Sequence, residues 1–401
     1  MPLERAATYR EVFAVREFRV LFTGFCVFLI GETVKMLALS VLVYAATGSP
    51  ALAAVAYVSG FLPYVVGGTF LLALADRWRP RAVLTGYDLI RLASVVVLAV
   101  GVLPPLAILA VVFAVGVFAP VSSAARTALL PELLDGDRYV LGRSVLTVSA
   151  GAMQVLAFGL GGLLLALTGP YGALWVTAAS CLLSAMLVRI GLADRPARRT
   201  AATGKAVSET WRVNRALLAD RRIRRLLLAQ WLPPVFTVGA EGLIVPYASG
   251  LQAGSAAGVV FMCAALGMLL GDLAVGRLLA PRRRERLAPY LALLLGVPLL
   301  GFLARPGLAG AGALFLAACA GISYQLGLAR RFLDAVPDSA RGQAFGLATT
   351  GLMTLQGLAV AAIGGLGQLT APATAMAMAG AASLLTTALL WRDISGRTAV
   401  G

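Results

Sequence analysis

The sequence predicts an all-α membrane protein with twelve transmembrane helices arranged as two pseudo-symmetric six-helix bundles. Three observations carry that expectation. Of the 401 residues, 60% are hydrophobic and only 13% charged, with a mean hydropathy of +0.88, whereas soluble domains carry about 25% charged residues. The apolar residues gather into stretches long enough to cross a ~30 Å hydrocarbon layer as helices of roughly 20 residues. The second half of the chain also echoes the first.

The stretches run near residues 20–46, 51–75, 82–102, 104–125, 140–168 and 171–192, then 226–249, 255–279, 287–304, 308–329, 343–368 and 373–391. Ahead of them, MPLERAATYREVFAVREFR is polar and basic, and the run behind it is too long for a secretory h-region, so the first helix is expected to stay. Of the 34 Lys and Arg, 31 fall on one side of this plan: the amino terminus, alternate loops, the central segment and the carboxyl end. Only Arg305 lies opposite, while Lys35 and Arg91 lie within spans. The positive-inside rule then places both termini and the central loop in the cytoplasm, which requires an even number of spans. The net charge of +16 is therefore a topology and lipid-surface signal. No groove-reading module accompanies it, so no nucleic-acid partner is expected.

The half-repeat pairs Arg126 with Arg330, Gly142 with Gly346, Gly161-Gly162 with Gly364-Gly365, DRWRPR (76–81) with APRRRE (280–285), and Glu32 with Glu241. It divides the chain into a bundle at 1–193, a basic cytoplasmic linker at 194–224 and a second bundle at 225–401. In the fifth span Gly151, Val155, Gly159 and Gly162 share a face, as do Gly357, Ala361, Gly364 and Gln368 in the eleventh. Such faces let helix backbones approach closely.

Cys26, Cys181, Cys263 and Cys319 are scattered singly through apolar runs, which suggests neither a disulfide framework nor a zinc site. Histidine is absent, so proton chemistry has to run on carboxylates. No cofactor is called for.

Burying a charge at the bilayer centre costs about 2.5–3.5 kcal/mol on insertion scales, which makes intramembrane ionisable groups functional candidates. There are six: Glu32, Lys35, Asp88, Arg91, Glu241 and Asp272. Glu32 lies roughly 16–18 Å into the first span, near the midplane, and Lys35 sits one turn on, within reach of it. Substrate or a proton that broke this pair would be coupled to it. Glu241 lies further along the seventh span, where Pro233-Pro234 and Pro246 are expected to break the helix. Asp88 and Arg91, a turn apart in the third span, are expected to pair with the nearby loop network. Asp272 reads as a gate partner for the Arg282–Arg284 cluster or as a snorkelling end residue. An apolar, aromatic cavity for an amphipathic organic molecule is expected from Phe28, Trp231, Phe236, Tyr324 and Gln325, with Gln154 and Gln356 as a polar pair at equivalent points of the fifth and eleventh spans.

Over essentially the whole chain these features resemble the major facilitator superfamily. LALADRWRPRAVL (72–84) is similar to its loop signature, with Leu74, Ala75, Asp76, Arg77 and Arg81 in register and Leu72 and Arg79 where glycines are usual. The resemblance implies that Asp76, Arg77 and Arg81 form a cytoplasmic charge network with the start of the eleventh helix, and that the first, fourth, seventh and tenth helices line a central cavity. LVYAATGSPALAAV, YDLIR (87–91), RTALLPELL and VPDSARGQAFG resemble the drug-exporter branch that includes the enterobactin and macrolide-efflux transporters. The fifth-span FGLGG resembles the antiporter motif but carries Leu160 in place of proline, and no Arg falls within the fourth span as bounded above, so the basic residue used there by many proton antiporters of the family is expected to be missing.

The resemblance implies proton-coupled efflux of an amphipathic drug-like or natural-product molecule by alternating access; import, or uncoupled facilitated passage of a small organic solute, is the alternative. The expected partners are the small-molecule substrate, protons and the lipid bilayer, with the chain a monomer in a bacterial plasma membrane. HExxH, GxSxG and GxxxxGK motifs are absent, so neither an enzyme nor an ATP-driven pump is expected.

Overall fold

Proline and glycine punctuate the helices. In a computed structural model that describes residues 8–58, 63, 67, 71, 78–197, 205–253, 256–337 and 340–396, the first long helix, Arg16–Thr47, ends at Gly48, whose φ of +62° only glycine adopts cheaply. Ser49 then caps the next helix, Pro50–Tyr57, by accepting from the Leu52 amide, with Pro50 at the first helical position. The remainder of the second span lies largely outside the described residues.

Ten described helical stretches are long and apolar enough to cross a membrane. One of them, Leu141–Gly191, breaks at Gly169, which has a φ of +68° and precedes Pro170, so it supplies the expected fifth and sixth spans. Helix Pro50–Tyr57 begins the second, and the others match the first, third, fourth and seventh to twelfth. The fourth span runs from Pro105 to Leu133, past the expected end at residue 125, and therefore contains Arg126.

Contacts gather the chain into two units, Met1–Ala38 with Pro63–Ala202, and Leu39–Leu62 with Thr203–Gly401. In the first unit the first span lies against the sixth through small residues: a Cβ on Gly31 would fall 2.2 Å from Ser180 Oγ, and one on Gly24 would touch Val188 and Ser184. A core of Val12, Phe18, Leu21, Leu84, Leu129, Leu130 and Val188 closes the end nearest the amino terminus. In the second unit Pro50–Tyr57 packs on the eleventh span (Arg341–Leu369), where a Cβ on Gly364 would lie 2.7 Å from that of Ala54.

Gly364 thus packs on its neighbour as the small-residue faces suggested. A tighter backbone approach occurs between the eighth and tenth spans, which the sequence did not single out. Cβ atoms on Gly267 and Gly271 would lie 2.1 Å from the Leu316 carbonyl oxygen and 2.4 Å from that of Ala320. Both obstacles are backbone, so neither can swing aside. Gly267→Val is expected to destabilise the protein by about 1–3 kcal/mol or more, read as a lower midpoint in thermal unfolding of the purified protein; an unchanged midpoint would refute the close crossing.

Candidate functional site

Among the described residues, each unit holds a cluster of buried ionisable groups inside its spans. In the first unit, helical spacing brings Lys35 back over Glu32, with Nζ 2.6 Å from Oε1. The other oxygen of Glu32 is held by Arg91 of the third span at 2.9 Å. Arg91 in turn donates to Asp88 at 3.1 Å, and the second oxygen of Asp88 accepts from the Ser184 hydroxyl at 2.6 Å. Arg91 is 1% exposed and Asp88 3%. Two cations and two carboxylates form a chain of zero net charge, Lys35–Glu32–Arg91–Asp88, which is the condition for keeping it in an apolar bundle.

This corrects the expectation that Asp88 and Arg91 serve the loop network. They do pair with each other, but Arg91 is long enough to reach across to the first span, and the loops are tied elsewhere. Arg79 and Arg81 both bind Asp194, at 2.6 and 3.4 Å, and Arg81 also donates to the Leu192 carbonyl at 3.3 Å, fastening the loop before the third span to the end of the sixth. Asp76 and Arg77 lie outside the described residues.

Phe28 lies beside the charged chain, its ring centre 4.3 Å from the Arg91 guanidinium carbon and 4.7 Å from that of Arg126, distances at which cations are attracted to the ring face. Arg126 also approaches Phe25, at 5.0 Å. Bounding the fourth span at residue 125 hid this residue, although an arginine one position beyond a predicted end is the kind of group that remains within reach.

In the second unit Glu241 accepts from the Tyr57 hydroxyl at 3.1 Å and from the Cys319 thiol at 3.4 Å. Tyr57 is 3% exposed, Cys319 1%, and the Tyr57 ring stacks on Phe261 at 4.8 Å. Among the described residues Glu241 forms no ion pair, so its neighbours are neutral donors. Tyr57 and Cys319 were not foreseen as partners, because they come from the second and tenth spans and nothing in their local sequence marks them.

Pro233 and Pro234 do not break the seventh span; the helix runs unbroken from Arg221 to Glu241 and ends at Gly242. Each proline lacks the amide that would bond four residues back, which frees the carbonyls of Ala229 and Gln230. The Tyr324 hydroxyl donates to the first at 2.7 Å, and Gln325 Nε2 donates to the second at 3.2 Å. Tyr324, 0% exposed, is thus a cap for a proline-freed carbonyl and not a lining residue, and Gln325 does the same work one position on. Trp231 is likewise structural: it belongs to a buried cluster with Leu227, Phe332 and Ala344, and its indole donates to the Ala348 carbonyl at 2.8 Å.

Phe236, Gln154 and Gln356 are partly buried on the seventh, fifth and eleventh spans, and among the described residues neither glutamine makes a side-chain hydrogen bond. Asp272 is exposed and pairs with no described cation. Arg284, from the cluster expected to bind it, donates instead to the carbonyls of Leu279 and Gly276 at the end of the eighth span. The gate pairing is corrected accordingly.

Fold and clusters together define a polytopic helical membrane protein with charge held inside its bundles. The Major Facilitator Superfamily model matches residues 21–329, and the chain belongs to that family, whose activity is secondary transport. Solved structures share the fold at low identity. A mutant of the nucleoside transporter NupG aligns with a TM-score of 0.73 and 13% identity over 94% of this chain and 99% of its own. A POT family transporter in complex with a thioalcohol-conjugated peptide gives 0.72 and 12% over 94% and 95%. A bacterial homologue of the iron transporter ferroportin, in an inward-facing state, gives 0.69 and 16% over 97% and 100%. No curated protein matched the sequence.

The proline caps make a quantitative prediction. Tyr324→Phe leaves a buried carbonyl unpaired and is expected to cost about 1–3 kcal/mol in reversible unfolding from mixed micelles. Pro233→Ala restores the missing amide, so the same Tyr324→Phe change should cost less in that background; equal costs in both would separate the tyrosine from the proline.

Proposed function

We propose that the chain is a proton-coupled secondary transporter that exports an amphipathic organic molecule by alternating access between two six-helix bundles, with both termini and the basic linker in the cytoplasm. The observation that carries this reading is the contrast between two of its membrane carboxylates, Glu32 and Glu241. Glu32 is clamped between Lys35 and Arg91, whereas among the described residues the hydrogen-bond donors to Glu241 are a phenol and a thiol.

Charge accounting separates their roles. Removing the negative charge of Glu32 would leave two buried cations with one counter-charge fewer, a change of the kind that costs about 3–5 kcal/mol. A proton on Glu241 strands no cation. Glu241 is therefore the carrier of the coupled proton in this reading, and the Lys35–Glu32–Arg91–Asp88 chain, with Phe28 beside it, is the element that a substrate rearranges. The aromatic and aliphatic surroundings favour a partly apolar solute over a sugar.

Two variants in proteoliposomes test the assignment. Glu241→Gln is expected to keep downhill movement of substrate while losing accumulation driven by an imposed pH gradient. Glu32→Gln is expected to lose both, with a lowered unfolding midpoint. Uphill transport by Glu241→Gln at the wild-type rate would overturn the proton role, and gradient-independent flux in the unmodified protein would favour an uncoupled facilitator.

A further inference from the structure

The segment joining the sixth and seventh spans contains a helix, Lys205–Ala219, with two unlike faces. Its inner face is fastened to the second unit. Leu217, 4% exposed, packs in the cluster with Ile223, Leu226 and Val336, and Val213 lies against the same group. Asn214 accepts from Gln343 at 3.3 Å. The end of the helix is also held, because Arg224 donates back to the carbonyls of Leu218 and Ala219. Asp220 alone separates this helix from the seventh span, whose first amides it caps.

The outer face carries Trp211, Arg215 and Leu218, spaced four and three residues apart and so aligned in one stripe. Trp211 is 62% exposed and Leu218 36%. Arg215 is exposed too, as are Arg221 and Arg222 just beyond the corner, and among the described residues none of the three pairs with an acid. On a surface facing water, an exposed tryptophan and leucine flanking an arginine gain nothing from their apolar area. At the boundary of a bilayer the same combination is favourable: Trp and Leu enter the headgroup layer while Arg meets phosphate. The single-residue connection at Asp220 keeps the helix at that boundary, since the apolar run of the seventh span starts within two turns of it.

We propose that helix Lys205–Ala219 is a membrane-interfacial docking element that binds acidic phospholipid headgroups through Arg215, aided by Arg221 and Arg222, with Trp211 and Leu218 seated in the headgroup layer. The occupant is lipid, because the partner has to be anionic, to lie in the plane of the membrane and to accept an aromatic ring. The inference stands apart from substrate, coupling and direction, and it requires only that the chain spans a bilayer.

The test uses the full chain reconstituted in vesicles of phosphatidylcholine with and without phosphatidylglycerol. Lipid retained on the purified protein is quantified by mass spectrometry, and tryptophan fluorescence is quenched with brominated phosphatidylglycerol. Retained phosphatidylglycerol is expected to be enriched over phosphatidylcholine, with the enrichment falling about fivefold in Arg215→Gln, the scale of one interfacial charge, and further in Arg215→Glu, which reverses it. The quenching should drop in Trp211→Phe. Arg215→Gln, which is milder, should give an intermediate enrichment and provides the readout if the charge reversal does not fold. Enrichment unchanged in both Arg215 variants, quenching unchanged in Trp211→Phe, or equal quenching by brominated phosphatidylcholine would overturn the proposal.

Discussion

The hydrogen-bonded ion pair between Arg91 and Glu32 ties the third span to the first inside an apolar bundle, and most of what is distinctive in the first unit follows from it. Arg91 is 1% exposed and the Glu32 side chain 22%, so both are satisfied mainly by protein groups. Glu32 uses one oxygen for Lys35 and the other for Arg91, and Asp88 divides its oxygens between Arg91 and Ser184. The serine belongs to the sixth span, and Gly24 and Gly31 of the first span are what allow that span to come close. Charge neutrality and backbone approach are thus two sides of one packing arrangement.

The second unit obeys the same constraint without cations. Two adjacent prolines in the seventh span uncover two carbonyls, and two adjacent residues of the tenth span cover them. A few residues further on, Glu241 is met by a phenol and a thiol. The seventh span is therefore polar along one side for two separate reasons, and the helices beside it supply donors at matching heights. Carboxylates set in such different surroundings are suited to different tasks, which is the basis for giving the proton to Glu241 and the substrate-responsive role to Glu32.

The helical fold was largely legible because hydrophobicity and length are properties of the chain itself. Span boundaries were legible where Gly and Pro coincide, as at Gly169-Pro170, and were misjudged where apolar character fades gradually, as between residue 125 and Leu133. In the candidate sites, the Lys35–Glu32 pair could be read from three-residue spacing alone. Arg91 as its second cation could not, because the partner is set by how far the third span slides against the first. Tyr324 and Gln325 were expected to line a cavity since they are polar or aromatic within a span; that they cap carbonyls depends on which helix stands opposite Pro233 and Pro234.

By itself the sequence determined that this chain is helical, that it crosses the bilayer many times, and which few charges have to be accommodated there, because each of these rests on local composition and on the cost of exposing polar groups to lipid. That Pro233 and Pro234 leave two carbonyls near residue 230 in need of outside donors followed only from the helix running unbroken through them. Tertiary structure alone decided who satisfies whom: Arg91 for Glu32, Ser184 for Asp88, Tyr57 and Cys319 for Glu241, Tyr324 and Gln325 for the freed carbonyls. Those partners lie between about 60 and 180 residues apart in the chain, and only helix packing, which no local pattern encodes, sets their heights against one another.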